Sequence, residues 1–160
     1  MKPVTMIDPR QPRLGQGITG VALLVGFLLD QPLVLPVLAV ILAAASLGGP
    51  GVNPYALLFR GIRAAGWIGP PRELEEAAPP RFSNTLGLAF LTAASLAYYL
   101  PDQPLTWLAW GLGLLVSALA LLAGATGLCV GCELYVFARR IATRGRVARR
   151  ITRPVERAAA

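Results

Sequence analysis

Two thiols are the groups in this chain with the most chemistry to offer. Cys129 and Cys132 are the only two cysteines among 160 residues, and histidine is absent. They lie in Gly127-Leu128-Cys129-Val130-Gly131-Cys132-Glu133-Leu134-Tyr135, where a long apolar run gives way to an arginine-rich tail. A Cys-x-x-Cys pair can close a disulfide across a helix start or loop, and such thiols often ionise more readily than free cysteine. The glycines at 127 and 131 allow an irregular backbone that a partner can reach. Glu133 follows Cys132 directly and could accept or donate a proton there. Equally, it could be a plain acid stabilising a helix start.

Four uses of the pair are open. One is thiol-disulfide or persulfide chemistry. A second is soft-metal binding at Cys129 and Cys132; two thiolates suit Cu(I) or Hg(II), whereas zinc wants four ligands. A dimer would supply four thiolates. The third is small-solute or sulfur transport, with the pair gating or sensing, and the fourth is packing as small apolar side chains. Cytoplasmic thiols are kept reduced, so a disulfide there is expected to be transient. If a helix starts at Glu133, Cys132 lies nearest its free amides; if it starts at Cys129, the order reverses. Arg139 and Arg140 read first as lipid anchors, and could also favour the thiolate. No cofactor is evident; a quinone or a soft metal would suit the pair.

The elements that position this pair read as membrane helices. Hydrophobic residues make up 55% of the chain and charged ones 14%, too apolar for an ordinary soluble domain. Between Arg13 and Arg60 the only charge is Asp30, and between Arg81 and Glu133 it is Asp102. Each block thus predicts a transmembrane hairpin turning at its acid. The expected fold is an all-α integral membrane protein with four transmembrane helices, near 15–29, 33–47, 86–100 and 105–128. Pro9 and Pro12 are expected to keep the polar lead out of regular helix. Gly48 to Gly51 ends the second span, and Asn53-Pro54 starts a new helix. Apolar positions 55, 58, 62 and 65 make Tyr55 to Ile68 an interfacial helix with Arg60 and Arg63 at the membrane surface.

Residues 69–80 form an acidic, proline-rich connector. Tyr98, Tyr99, Trp107 and Trp110 gather near the second turn as an aromatic belt. From Leu134 the tail reads as a basic amphipathic helix on anionic lipid. Nucleic acid is disfavoured, because beyond Phe137 no aromatic interleaves with the arginines. Ala39 with Ala43, Gly113 with Ser117 and Ala120 with Gly124 are the expected helix contacts. Four short spans bury little surface, which fits a homodimer. All 15 basic residues lie away from the two acidic turns. That places both termini and the connector in the cytoplasm.

The halves echo one another. Asp30-Gln31-Pro32-Leu33 returns as Asp102-Gln103-Pro104-Leu105, and Gly51, Tyr55 and Arg60 as Gly131, Tyr135 and Arg140. One domain, 1–160, then holds repeat one at about 8–68, the connector 69–80, and repeat two at about 81–157. In that alignment Cys129 falls opposite Gly49 and Cys132 opposite Val52. One glycine break carries thiols and the other does not.

Several pieces together resemble the bacterial membrane family called domain of unknown function 4395. They are Asp8-Pro9-Arg10, Pro12-Arg13 with Gln16, Gly49-Pro50 with Asn53-Pro54, Glu76, Pro79-Pro80-Arg81-Phe82, and Gly127 to Tyr135. The chain departs from the pattern at Leu14 and at Ser83-Asn84, neither of which is expected to touch the thiols. The resemblance implies four membrane helices, a paired-cysteine signature, and thioredoxin-like or sulfurtransferase-like proteins as companions. It implies no settled activity.

Overall fold

Prolines set where the helices begin. The computed structural model describes residues 5–69, 71, 74–100 and 105–141. Helix α1 spans Arg10–Leu28, α2 Val34–Leu47, α3 Gly49–Val52 and α4 Pro54–Ala64. Helix α5 spans Ala78–Tyr99 and α6 Thr106–Thr126, and a further helix, α7, covers 130–141. The strands β1, Met6–Ile7, and β2, Glu75–Glu76, form one antiparallel pair. The protein is otherwise all-helical among the described residues.

The expectation that Pro9 and Pro12 exclude helix from the lead is corrected here. Pro9 precedes α1, and Pro12 sits inside its first turn, where an N–H has no helical acceptor to lose. The Asp8 carboxylate accepts the Arg10 N–H at 3.0 Å and secures that start. In the same way α5 begins at Ala78 with Pro79-Pro80 in its first turn, inside the expected connector. Two further connector residues are paired: Met6 faces Glu76 and Ile7 faces Glu75. The Ala77 N–H extends this by donating to the Thr5 carbonyl at 2.9 Å.

Asn53 caps α4 as expected, its side-chain oxygen accepting from Tyr55 N at 3.0 Å and Ala56 N at 3.2 Å. The helix stops at Ala64 rather than Ile68, because Gly66 turns left-handed at φ 80°. Its buried face is Tyr55, Ala56 and Phe59, whereas Leu58 is exposed; the inward stripe therefore runs i, i+4 from Tyr55, not through 58. The Gly48–Gly51 break is narrower than expected: α2 ends at Leu47 and the single turn α3 follows at once. The turn at 101–104, with Asp102, and the tail beyond 141 lie outside the described residues.

The hairpins interleave. Helix α1 packs chiefly on α6, α2 on α5, and α5 also on α6, while α1 and α2 touch little. Small residues permit the α1–α6 contact. The Ser117 hydroxyl donates to the Gly20 carbonyl at 2.7 Å, and a Cβ on Gly124 would lie 3.1 Å from Gly17 Cα. Ser117 and Gly124 are thus helix-contact residues as expected, and Gly113, also expected, makes its close approach to Leu35 of α2 instead. The core gathers Leu23, Leu35, Leu38, Leu42, Leu91 and Trp110. Trp110 leaves the expected aromatic belt for this core, edge-on to Phe27 at 5.3 Å, while Trp107 is 75% exposed.

One described helix, α6, is long and apolar enough to cross a membrane. Helix α2 is apolar but has only 14 residues. Helices α1 and α5 have 19 and 22 residues but open on polar, arginine-bearing turns. Length and composition therefore support one span where four were expected.

The α1–α6 seam yields a paired prediction. A Cβ on Gly20 would meet Leu121 Cγ at 2.6 Å and its backbone N at 3.0 Å, whereas one on Gly111 meets nothing within 4 Å. Gly20→Ala should cost about 1–3 kcal/mol through overpacking. Gly111→Ala should be neutral or slightly stabilising through helix propensity. Thermal unfolding in detergent distinguishes them; equal midpoints would contradict the seam.

Candidate functional site

The thiol pair sits on a sharp join between two helices. Helix α6 ends at Gly127, whose φ of 79° is left-handed. A Cβ there would also lie 2.6 Å from Arg13 Nη2, so glycine both makes the turn and admits the guanidinium. The next helix starts one residue after Cys129. The Glu133 N–H donates to the Cys129 carbonyl at 3.0 Å, and the Cys132 N–H to Cys129 Sγ at 3.3 Å. Cys129 is therefore the N-cap of α7, with sulfur in the place where a cap oxygen usually sits. The sequence left two helix starts open; this one puts Cys129, not Cys132, nearest the free amides. Glu133 consequently lies inside the first turns of α7 rather than at its cap.

Two distant elements hold the capping sulfur. From α1, Gln16 Nε2 donates to Cys129 Sγ at 3.3 Å. From α5, the Ser83 hydroxyl lies 3.3 Å from the same atom; a thiol donates to it, and it donates to a thiolate or disulfide sulfur. Ser83 was expected to stay clear of the thiols, so this is a correction. It arises because α7 lies directly on α5: a Cβ on Gly131 would be 2.7 Å from Ser83 Oγ and 3.0 Å from its Cα. The Phe82 and Tyr135 rings, 5.6 Å apart, fasten the same join. The sulfurs of Cys129 and Cys132 are joined as a disulfide, with Cα atoms 5.1 Å apart.

The pair borders two spaces, one walled in part by charged side chains and the other mainly apolar. On one side is a cleft of about 350 Å³ walled by Arg13, Gln16, Glu75, Glu76, both cysteines and Glu133. On the other is a mainly apolar cavity of about 210 Å³. Its walls come from α1, α2, α5, α6 and α7, with Cys129 as the sulfur in its lining. Cys129 can thus be approached from a polar and an apolar side, while Cys132 borders the cleft alone.

The expected site residues separate in space. Cys129, Cys132 and Glu133 share the cleft. Arg139 does not stand beside the thiols: it pairs with Glu76 at 3.2 Å, tying α7 to β2. Arg140, Arg60 and Arg63 are exposed, the last two on α4. The cation walling the thiol cleft is Arg13. Gln16, Ser83 and Arg13 went unassigned in the sequence, although Arg13 and Gln16 belong to the motif pieces that prompted the family resemblance. Among the described residues no three His, Cys, Asp or Glu side chains gather as metal ligands.

The model of a protein family described as domain of unknown function 4395 matches residues 7–140. No curated protein and no solved structure matches the chain. The matched stretch runs from Ile7 in β1 to Arg140 in α7. It takes in the N-terminal motif pieces, both helical hairpins and the cysteine pair they converge on. On that coverage the chain belongs to the family described as domain of unknown function 4395.

Proposed function

We propose that this chain is a multi-pass inner-membrane protein. Its Cys129–Cys132 pair handles thiol-disulfide or persulfide transfer with a soluble thioredoxin-like or sulfurtransferase-like partner. The observation that carries the reading is the environment of Cys129 Sγ. It caps α7 through the Cys132 N–H and takes a further hydrogen bond from Gln16. Helix N-terminal amides and neutral donors stabilise a thiolate. The packing role is weakened by comparison with the first break, where Gly49 and Asn53 begin helices without sulfur.

Exchange proceeds by in-line attack. The Cys129 thiolate attacks one sulfur of an incoming disulfide, and a mixed S–S bond forms as the old one breaks. The displaced sulfur leaves with the electron pair. Cys132 then gives up its proton, attacks Cys129 Sγ and releases the partner's second thiolate. With a persulfide donor, Cys129 takes the terminal sulfur and the donor leaves as thiolate. The polar cleft offers the partner its approach.

The membrane placement draws support from the outer faces of the helices. Val21, Val25 and Leu28 on α1, Val37 and Val40 on α2, and Leu96 on α5 are all exposed. Exposed apolar residues over a core containing small residues suit lipid as the solvent. Helix α2, at 14 residues, reaches only about 21 Å of the roughly 30 Å hydrocarbon core, so the bilayer must thin or neighbouring residues must snorkel. The interleaving of α1 with α6 and of α2 with α5 is the pairing that exchange of two tandem repeats would preserve.

Three outcomes follow from this reading. In C132S the remaining Cys129 should keep alkylating rapidly as pH falls toward neutrality, while in C129S the remaining Cys132 should slow by about tenfold. Equal pH profiles in the two variants would contradict the cap assignment. C132S should also accumulate a mixed disulfide with thioredoxin, since the resolving thiol is gone, and non-reducing electrophoresis would show the adduct. Reporter fusions after Ala160 and within 74–78 should both report cytoplasm; an external signal from either would overturn the topology.

A further inference from the structure

We propose that the apolar cavity behind Cys129 is a quinone site, the place where electrons leave the thiol pair. The proposal rests on the thiol-exchange reading above, run in reverse: a partner dithiol reduces the Cys129–Cys132 disulfide, and the quinone is the oxidant that restores it. The cavity holds about 210 Å³, more than the roughly 150 Å³ that suffices for benzene in an engineered apolar cavity. Its walls are chiefly aliphatic and aromatic, including Phe90, Val116, Leu119 and Ala120. Phe90 and Leu119 are also exposed on the outer faces of α5 and α6, so a carrier dissolved in lipid meets an apolar entrance.

Polar groups are concentrated near the sulfur. Gln16, Ser83 and Asn84 line the cavity with Cys129, and Gln16 Nε2 and Ser83 Oγ both lie 3.3 Å from Cys129 Sγ. Amide and hydroxyl donors grouped beside a sulfur in an apolar chamber suit an aromatic ring with carbonyl oxygens. An acyl chain would use the walls but none of these donors. A soluble disulfide substrate would use the polar cleft instead.

The chemistry balances. The Cys129 thiolate adds its electron pair to a ring carbon of the quinone, forming an S–C bond, and the ring oxygen takes up a proton. Cys132 loses its proton and attacks Cys129 Sγ. The S–S bond forms, the S–C bond breaks, and its electron pair returns to the ring. A second proton completes the hydroquinone. Two S–H groups are oxidised to one disulfide, and one quinone is reduced by two electrons and two protons. A partner dithiol then re-reduces the pair through the cleft.

The test uses full-length protein in detergent, reduced, desalted and kept anaerobic, with decylubiquinone as the probe. Alkylation followed by mass measurement counts the remaining thiols, and absorbance reports the quinol. Wild type should form one disulfide and one quinol per chain. Ala120→Leu, which fills the cavity, should slow this by at least about tenfold, and Gln16→Leu by about tenfold for one lost hydrogen bond. Diamide reaches the sulfurs from water and confirms in each variant that the thiols remain oxidisable. Equal quinone rates in wild type and Ala120→Leu would overturn the site. So would a phospholipid that stays bound in native mass spectra and resists displacement by decylubiquinone. Protein that exchanges with oxidised thioredoxin yet keeps its thiols in excess quinone overturns the cavity assignment alone. Protein that does neither overturns the thiol reading beneath it.

Discussion

The start of α7 depends on a sulfur. A helix begins with amides that have no partner inside it, and something must accept from them. Here the acceptor is Cys129 Sγ, which takes the Cys132 N–H. The same atom meets Gln16 from α1 and Ser83 from α5. One atom therefore joins three helices, and Gly131 packs tightly on Ser83 beside it. The cap, α1 and α5 all meet at that sulfur.

The surrounding fold supplies that geometry from both ends of the chain. The β1–β2 pair brings the N-terminal lead against the connector, so that Arg13 and Gln16 on α1 and Glu76 in β2 wall the cleft beside the thiols. The Arg139–Glu76 ion pair then anchors α7 to the same strand. Both partners are partly exposed, so the pair sets orientation more than stability. The result is a thiol with polar access on one side and apolar access on the other.

Much of the helical plan was legible in the sequence. The Asn53-Pro54 cap and the irregular backbone at Gly127 each act through neighbours close in sequence or through a local backbone rule. The turn acid Asp30 takes the left-handed φ of 49° that aspartate tolerates. What the sequence hid depends on tertiary contact. Gln16 meets Cys129 across 113 residues, and no periodicity encodes that. Trp110 looked like an interfacial aromatic but faces the core because α1 presents Phe27 to it. The lead looked proline-broken because Pro12 excludes helix only where an N–H would have been used. The cysteines themselves were plain from the start, but which of them carries the cap was decided only by where α7 begins.

The central claim is that Cys129 and Cys132 form a reversible redox or sulfur-carrying pair. The most direct measurement is intact-mass analysis of the protein trapped by rapid alkylation as it leaves the cell, before and after mild reductant. The account predicts disulfide or persulfide on part of the population, converted to two alkylated thiols by the reductant. Two alkylated thiols in every sample, unchanged by added oxidant, or a stoichiometric metal adduct in place of oxidation, would contradict it.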